Sequence, residues 1–156
     1  MRIIGRPPIH PWLFALGKAA IVPHWVFLAA SALGVRWTAN DLPGARPIGF
    51  VLAAVGILLL VAAVRQLGAS TRIGLPVEST ELRTHGLYRI SRNPIYLALF
   101  LSGAGSCLLA PHWFNLVSTA VMIAVHHRIV LAEERFLEGR FDQAWRDYRA
   151  TVRRYL

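Results

Sequence analysis

Glu133 and Glu134 stand side by side at the end of a long apolar run, and His126 and His127 precede them by seven residues each. Seven residues make about two helical turns, so on a continuous helix His126 shares a face with Glu133, and His127 with Glu134. A second polar concentration, ESTELRTHGLYRISRNPIY at residues 78–96, carries His85, Tyr88, Arg92, Asn93 and Tyr96. An uncompensated carboxylate at a hydrocarbon boundary is costly. The two glutamates are therefore expected to meet arginine, water or a cationic ligand, and the plainest arrangement is an arginine–glutamate clamp. A dinuclear metal site is the weaker reading, because His85, His126, His127 and two glutamates fall short of the ligand-rich set it needs; no metal is expected.

The elements that must position these groups follow from composition. Of 156 residues, 55 % are hydrophobic and 16 % charged, which is too apolar for a soluble domain of this size. A net charge of +9 suggests nucleic acid when basic residues form a surface stripe. Here they lie between apolar runs and in the tail, a pattern of membrane topology, and no nucleic-acid partner is expected. Cys107, the only cysteine, sits inside an apolar run; it forms no internal disulfide and reads as a small buried hydrophobe.

About 20 helical residues span a bilayer, and four segments approach that length: about 11–34, 47–67, 94–110 and 112–131. The expected fold is an all-α polytopic membrane bundle of about four transmembrane helices, a single domain over residues 1–156. A cytoplasmic loop covers 68–93 and an amphipathic tail helix 132–156. The second segment, IGFVLAAVGILLLVAAV, has no charge; the first holds Lys18, Pro23 and His24, which predict a kink or a partly interfacial course. Arg2 and Arg6 before it resemble a signal peptide, but the apolar stretch runs on too long, so it reads as a retained span. Pro111 leaves room only for a tight antiparallel hairpin between the third and fourth segments.

Arginines set the orientation. Arg65, Arg72, Arg83, Arg89 and Arg92 fill the loop after the second segment, and seven more run from Arg128 to Arg154. Those regions and both termini are expected on the cytoplasmic side. Trp12, Trp37 and Trp113 fall near segment ends and read as interfacial anchors. In the tail, Phe136, Leu137, Phe141, Trp145, Tyr148 and Val152 recur at helical spacing, and Gly139 permits a bend between two parts. The short hairpin brings residues 78–96 and 126–136 to the same membrane face.

HGLYRISRNPIYLALFLSGAG, followed about thirty residues later by AEERFLEGRFDQAWRDYRATVRRYL, resembles the isoprenylcysteine carboxyl methyltransferase and phospholipid methyltransferase superfamily. Its pattern is a Gly-x-Tyr, an Arg-His-Pro-x-Tyr or Asn-Pro-x-Tyr entry to a span, then a Glu-Glu pair. The resemblance covers roughly residues 65–156 and implies an integral membrane enzyme that uses S-adenosylmethionine. It places the cofactor near His85, Gly86, Tyr88, Arg92, Asn93, Pro94 and Tyr96, with His127, Arg128, Glu133 and Glu134 opposite. Arg92, Asn93 and Glu134 are the expected catalytic residues.

The charges suit those positions. Glutamates can take the cofactor's ammonium or ribose hydroxyls, Arg92 or Arg128 its carboxylate, and Tyr88 or Tyr96 can border adenine or sulfonium. One departure is Asn93, where the isoprenylcysteine branch has histidine; asparagine hydrogen-bonds but takes no proton. A lipophilic acceptor is expected to arrive laterally from the membrane lipids. Ser102, Gly103, Ala104, Gly105 and Ser106 either line its tunnel or, more simply, allow close helix packing. The competing class is a non-catalytic membrane module whose basic tail binds anionic lipid or a protein. Acceptor atom and oligomeric state are not encoded in any motif of this chain.

Overall fold

The computed structural model describes residues 7–37, 43–67 and 81–156. All regular structure among them is helical: α1 (Pro11–Ala19), α2 (Ile21–Ala32), α3 (Ala45–Leu67), a 3-10 turn (Gly86–Arg89), α4 (Pro94–Leu109) and α5 (Trp113–Thr151). Part of the expected 68–93 loop, residues 68–80 with Arg72, lies outside the described residues, as do Arg2 and Arg6.

Among the described residues three helical stretches, not four, are long and apolar enough to cross a membrane: Pro11–Ala32, Ala45–Leu67 and Trp113–Thr151. They make this a membrane protein. The third expected segment corrects to α4, whose 16 residues reach only about 24 Å, short of the hydrocarbon thickness. Proline sets both limits. Pro94 opens α4, and Pro111 closes the turn after it. The expected kink in the first segment falls at Ala20, between α1 and α2. Pro23 lacks the N–H that would reach the Ala19 carbonyl, and its ring crowds that carbonyl, so the helix breaks one turn upstream of the proline.

The tail is not a separate helix from residue 132. Leu131, Ala132, Glu133 and Glu134 are strong helix formers, and α5 runs through them for 39 residues. Its bend lies at Asp142, with φ 42, and not at Gly139. Aspartate is one of the few side chains that tolerates positive φ, and Asp142 pairs with Arg146 one turn on. Beyond the bend the chain folds back, burying Trp145, Tyr148 and Val152 with Leu82, Leu137 and Phe141 beside them.

α3 and α4 pack closely because small residues face each other. A Cβ on Gly105 would stand 2.7 Å from both the Ala53 nitrogen and the Gly49 carbonyl oxygen, and one on Gly56 would stand 2.7 Å from the Ser102 nitrogen. Ser102, Gly103, Gly105 and Ser106 are buried, so close packing, rather than a lateral tunnel, accounts for them. Gly105→Val is expected to lower stability by about 1–3 kcal/mol. Gly139→Ala, at an exposed helical position with open space around it, is expected to cost nothing, as measured by thermal unfolding in detergent.

The α4–α5 turn forms as the expected hairpin. Asn115 Nδ2 donates to the Ala110 carbonyl and to Ser106 Oγ, both at 3.0 Å, and Ser106 Oγ donates to the His24 carbonyl at 3.0 Å. Near this turn Phe27 lies edge-on to Trp37 at 4.5 Å and stacks on His112 at 5.5 Å. Trp12 and Trp113 are exposed, as are Val51 and Leu58 on α3; exposed apolar side chains of this kind suit lipid contact.

Candidate functional site

Asn93 is the N-cap of α4, at φ −132 and ψ 56, outside the α region that a following proline disfavours. Its side chain does not cap the helix. Instead Asn93 Nδ2 donates to Glu134 Oε1 at 3.2 Å, across the hairpin that makes α4 and α5 antiparallel. Arg92 donates to the same oxygen from Nε at 3.2 Å and from Nη2 at 3.0 Å, while its Nη1 donates to the carbonyls of Arg149 and Val152. Arg154 approaches Oε2 from Nε at 3.1 Å and Nη2 at 2.9 Å. Glu134 therefore sits between two guanidiniums, with side-chain exposures of 6 % for Arg92 and 9 % for Glu134. The Arg92 guanidinium also lies over the Trp145 ring at 5.7 Å.

The clamp ties the chain's last residues to the segment before α4. Arg92 N donates to the Arg153 carbonyl at 3.0 Å, and Ser91 Oγ and Asn93 Nδ2 donate to the Arg154 carbonyl, each at 3.3 Å. Tyr148 donates its hydroxyl to the Tyr88 carbonyl at 2.6 Å, and Tyr155 OH lies 2.9 Å from His127 Nδ1. Burial, with Tyr148 and Glu133 nearby, pushes the Tyr88 phenol up to about 12. Burial likewise lifts Tyr155 to about 12, against Arg154 and helped by Glu134. Both phenols stay protonated at neutral pH and remain donors. Tyr148→Phe is expected to cost about 1–2 kcal/mol by orphaning the Tyr88 carbonyl, read as faster proteolysis within the tail.

Glu133 has a different environment. Its carboxylate accepts the Tyr96 hydroxyl at 2.9 Å and 3.0 Å and has no guanidinium partner among the described residues. Lys18 of α1 is electrostatically coupled to it, and the Lys18 ammonium rests over the Phe14 ring at 5.1 Å. His126 is fully buried one helical repeat away, its Nδ1 2.8 Å from the Met122 carbonyl, with its ring 5.8 Å from that of Tyr96.

Tyr88, Arg92, Asn93, Pro94, Tyr96, His127, Glu133 and Glu134 thus converge at one end of the bundle. His85 and Arg128 are exposed and join none of these contacts. Gly86, at φ 63, turns the chain beside Gln66, whose Oε1 accepts from Leu87 N at 2.7 Å. Sequence reasoning missed Arg154, Tyr155 and Lys18 as parts of the site. Arg154 is one of six tail arginines without a distinguishing spacing, and Lys18 stands alone in α1; only the return of the chain past Asp142 singles out the first.

The donor set fits the charges of S-adenosylmethionine. Two guanidiniums against one carboxylate leave a net positive charge at the Glu134 clamp, matched to a carboxylate. Arg92 has four of its five N–H groups committed; Arg154, one-third exposed, keeps more of its own uncommitted. Glu133 remains for a cationic group, and the buried Trp145 Nε1 has no partner among the described residues.

A family model described as phospholipid methyltransferase matches residues 45–144, more than half of the chain. The match includes both sides of the clamp and ends before Tyr148 and Arg154. No curated protein and no solved structure matches the chain.

Proposed function

The chain belongs to the phospholipid methyltransferase family, and on that premise we propose that it transfers a methyl group from S-adenosylmethionine to a lipophilic acceptor at the cytoplasmic edge of the membrane. The observation that carries this reading is the division of labour between adjacent glutamates. Glu134 is fully engaged by Arg92, Asn93 and Arg154, whereas Glu133 accepts a hydrogen bond from Tyr96 alone among the described residues. A zwitterionic cofactor finds a positive pole and a negative pole side by side.

S-adenosylmethionine, when bound, supplies an electrophilic methyl group. Arg154 takes the carboxylate and Glu133 the ammonium or sulfonium, with Tyr96 orienting Glu133. Arg92 and Asn93 act through Glu134, as positioning residues. In-line displacement asks the protein mainly to align two reactants and exclude water, and no covalent intermediate on the chain is required. The acceptor enters from lipid while the cofactor arrives from the arginine-rich side, which the positive-inside pattern assigns to the cytoplasm.

The departure at Asn93 is compatible with activity. The role filled here is donation to Glu134 Oε1, which a neutral amide performs. The non-catalytic alternative predicts tail-dependent vesicle binding without a cofactor site. Calorimetric titration of detergent-purified, lipid-supplemented protein with S-adenosylmethionine and S-adenosylhomocysteine separates the two. Saturable binding lost in Arg154→Ala supports the proposal; folded protein that binds neither compound overturns it.

A further inference from the structure

The apolar girdle of this protein can be measured on three helices separately. α4 has 16 residues, about 24 Å at the helical rise, and Pro94 and Pro111 keep it from growing at either end. On α5 the exposed Trp113 stands at the hairpin end, and the first charged residue after it, Arg128, is also exposed; their separation along the helix is about 22 Å. On α3 the uncharged run lies between Arg46 and Arg65, about 28 Å apart. Arg46 does not reach away from the membrane: its guanidinium lies over the ring of Phe50, one turn deeper, at 5.8 Å, which shortens the girdle there. α3 and α5 both present exposed apolar side chains, Val51, Leu58, Leu116 and Val117 among them.

The register of α3 against α4 shows that these lengths overlie one another. A Cβ on Gly49 would stand 3.0 Å from the Gly105 carbonyl oxygen, and one on Gly56 would stand 2.8 Å from the Ala98 carbonyl oxygen. Residues 49 to 56 of α3 therefore match residues 105 to 98 of α4 one for one. The same step sets Arg46 level with Leu108 and Leu60 level with Pro94. At the hairpin end the two helices finish together. At the clamp end α3 stays uncharged for one more turn, residues 61–64, alongside the segment that carries Arg92.

Hydrocarbon about 30 Å thick would cover more than this girdle offers. Tilting shortens a helix's span further, so the mismatch is met by a thinner bilayer or by charges drawn into hydrocarbon. Snorkelling lets Arg65 and Arg128 recover part of the difference. α4, closed by proline, and Arg46, held over Phe50, recover none. The clamp is the part most affected, because Arg154 is one-third exposed beside Glu134, and Glu134 in turn bonds Asn93 at the start of α4.

We propose that the partner of this girdle is a thin bilayer, with hydrocarbon of about 22–25 Å, and that thickness is felt at the clamp: thicker hydrocarbon covers Arg154 and loosens the returning tail. This holds whether or not the chain transfers methyl groups.

The test reconstitutes the full chain in phosphatidylcholine vesicles whose monounsaturated acyl chains lengthen stepwise from fourteen to twenty-two carbons, and reads thermal unfolding together with protease cleavage after Asp142. The unfolding midpoint is expected to be highest at sixteen carbons or fewer and to fall by about 5–10 °C at twenty-two, with cleavage of the tail rising in step. A midpoint that does not change along the series, or that is highest at eighteen carbons or more, overturns the proposal. Arg65→Leu combined with Arg128→Leu lengthens the girdle on two exposed helices and is expected to move the maximum toward longer chains; an unmoved maximum in the folded variant overturns the proposal as well. Where that variant fails to fold, the wild-type series decides alone.

Discussion

Glu134→Gln is expected to destabilise the protein by about 3–5 kcal/mol, the range found when one partner of a buried ion pair is removed. The substitution keeps size and shape but sets an amide NH2 against a guanidinium. Arg92, nearly enclosed and lying over Trp145, would retain a buried charge whose remaining partners are the carbonyls of Arg149 and Val152. Because those carbonyls belong to the returning tail, the loss spreads: the tail should detach from the segment before α4, and S-adenosylmethionine binding should vanish with it. The measurement is denaturant unfolding in micelles alongside protease sensitivity after Asp142. A variant with wild-type stability and an intact tail would show that Glu134 is not the post on which the site is assembled.

Glu133→Gln is expected to behave in the opposite way. Its carboxamide oxygen can still accept the Tyr96 hydroxyl, and no guanidinium is left unpaired, so thermal stability should change by no more than about 1 kcal/mol. Removing its charge takes away the partner for the cofactor's cationic group. A hydrogen bond to a charged group contributes about 1.5–3 kcal/mol, so affinity for S-adenosylmethionine should fall about 10- to 100-fold. Calorimetry on the folded variant reads this directly. Unchanged affinity would remove Glu133 from the cofactor's surroundings and shift the negative pole elsewhere. The two substitutions, on adjacent residues and chemically identical, are thus expected to separate a structural effect from a binding effect.

Much of this arrangement was legible from local rules. The apolar runs, the proline-bounded hairpin and the seven-residue spacing of histidines and glutamates rest on helix geometry and the bilayer as solvent, and neither needs distant contacts. Because an unpaired carboxylate at that depth is too costly, an arginine–glutamate clamp is one of the arrangements the sequence allows beside water or a cationic ligand, and Arg92 stands against Glu134. Other features were hidden. The count of membrane-length helices depends on how far α4 extends between Pro94 and Pro111, and the tail's bend on a single positive φ at Asp142. Gly139 carried the more obvious signal, but glycine only permits a bend; packing of Trp145 and Tyr148 on the segment before α4 sets where one is needed.

By itself, then, the sequence determined the solvent, the helical class, the convergence of the segment just before α4 with residues 126–136 at one face, and the residue types facing each other there. Those follow from periodicity and from the cost of burying charge, which act over one or two turns. Tertiary structure alone decided which glutamate is spent on structure and which stays available, and that Arg154, over sixty residues from Arg92, completes the clamp. Partner choice among several equivalent arginines and histidines depends on where the returning chain crosses the bundle, and no local pattern records that crossing.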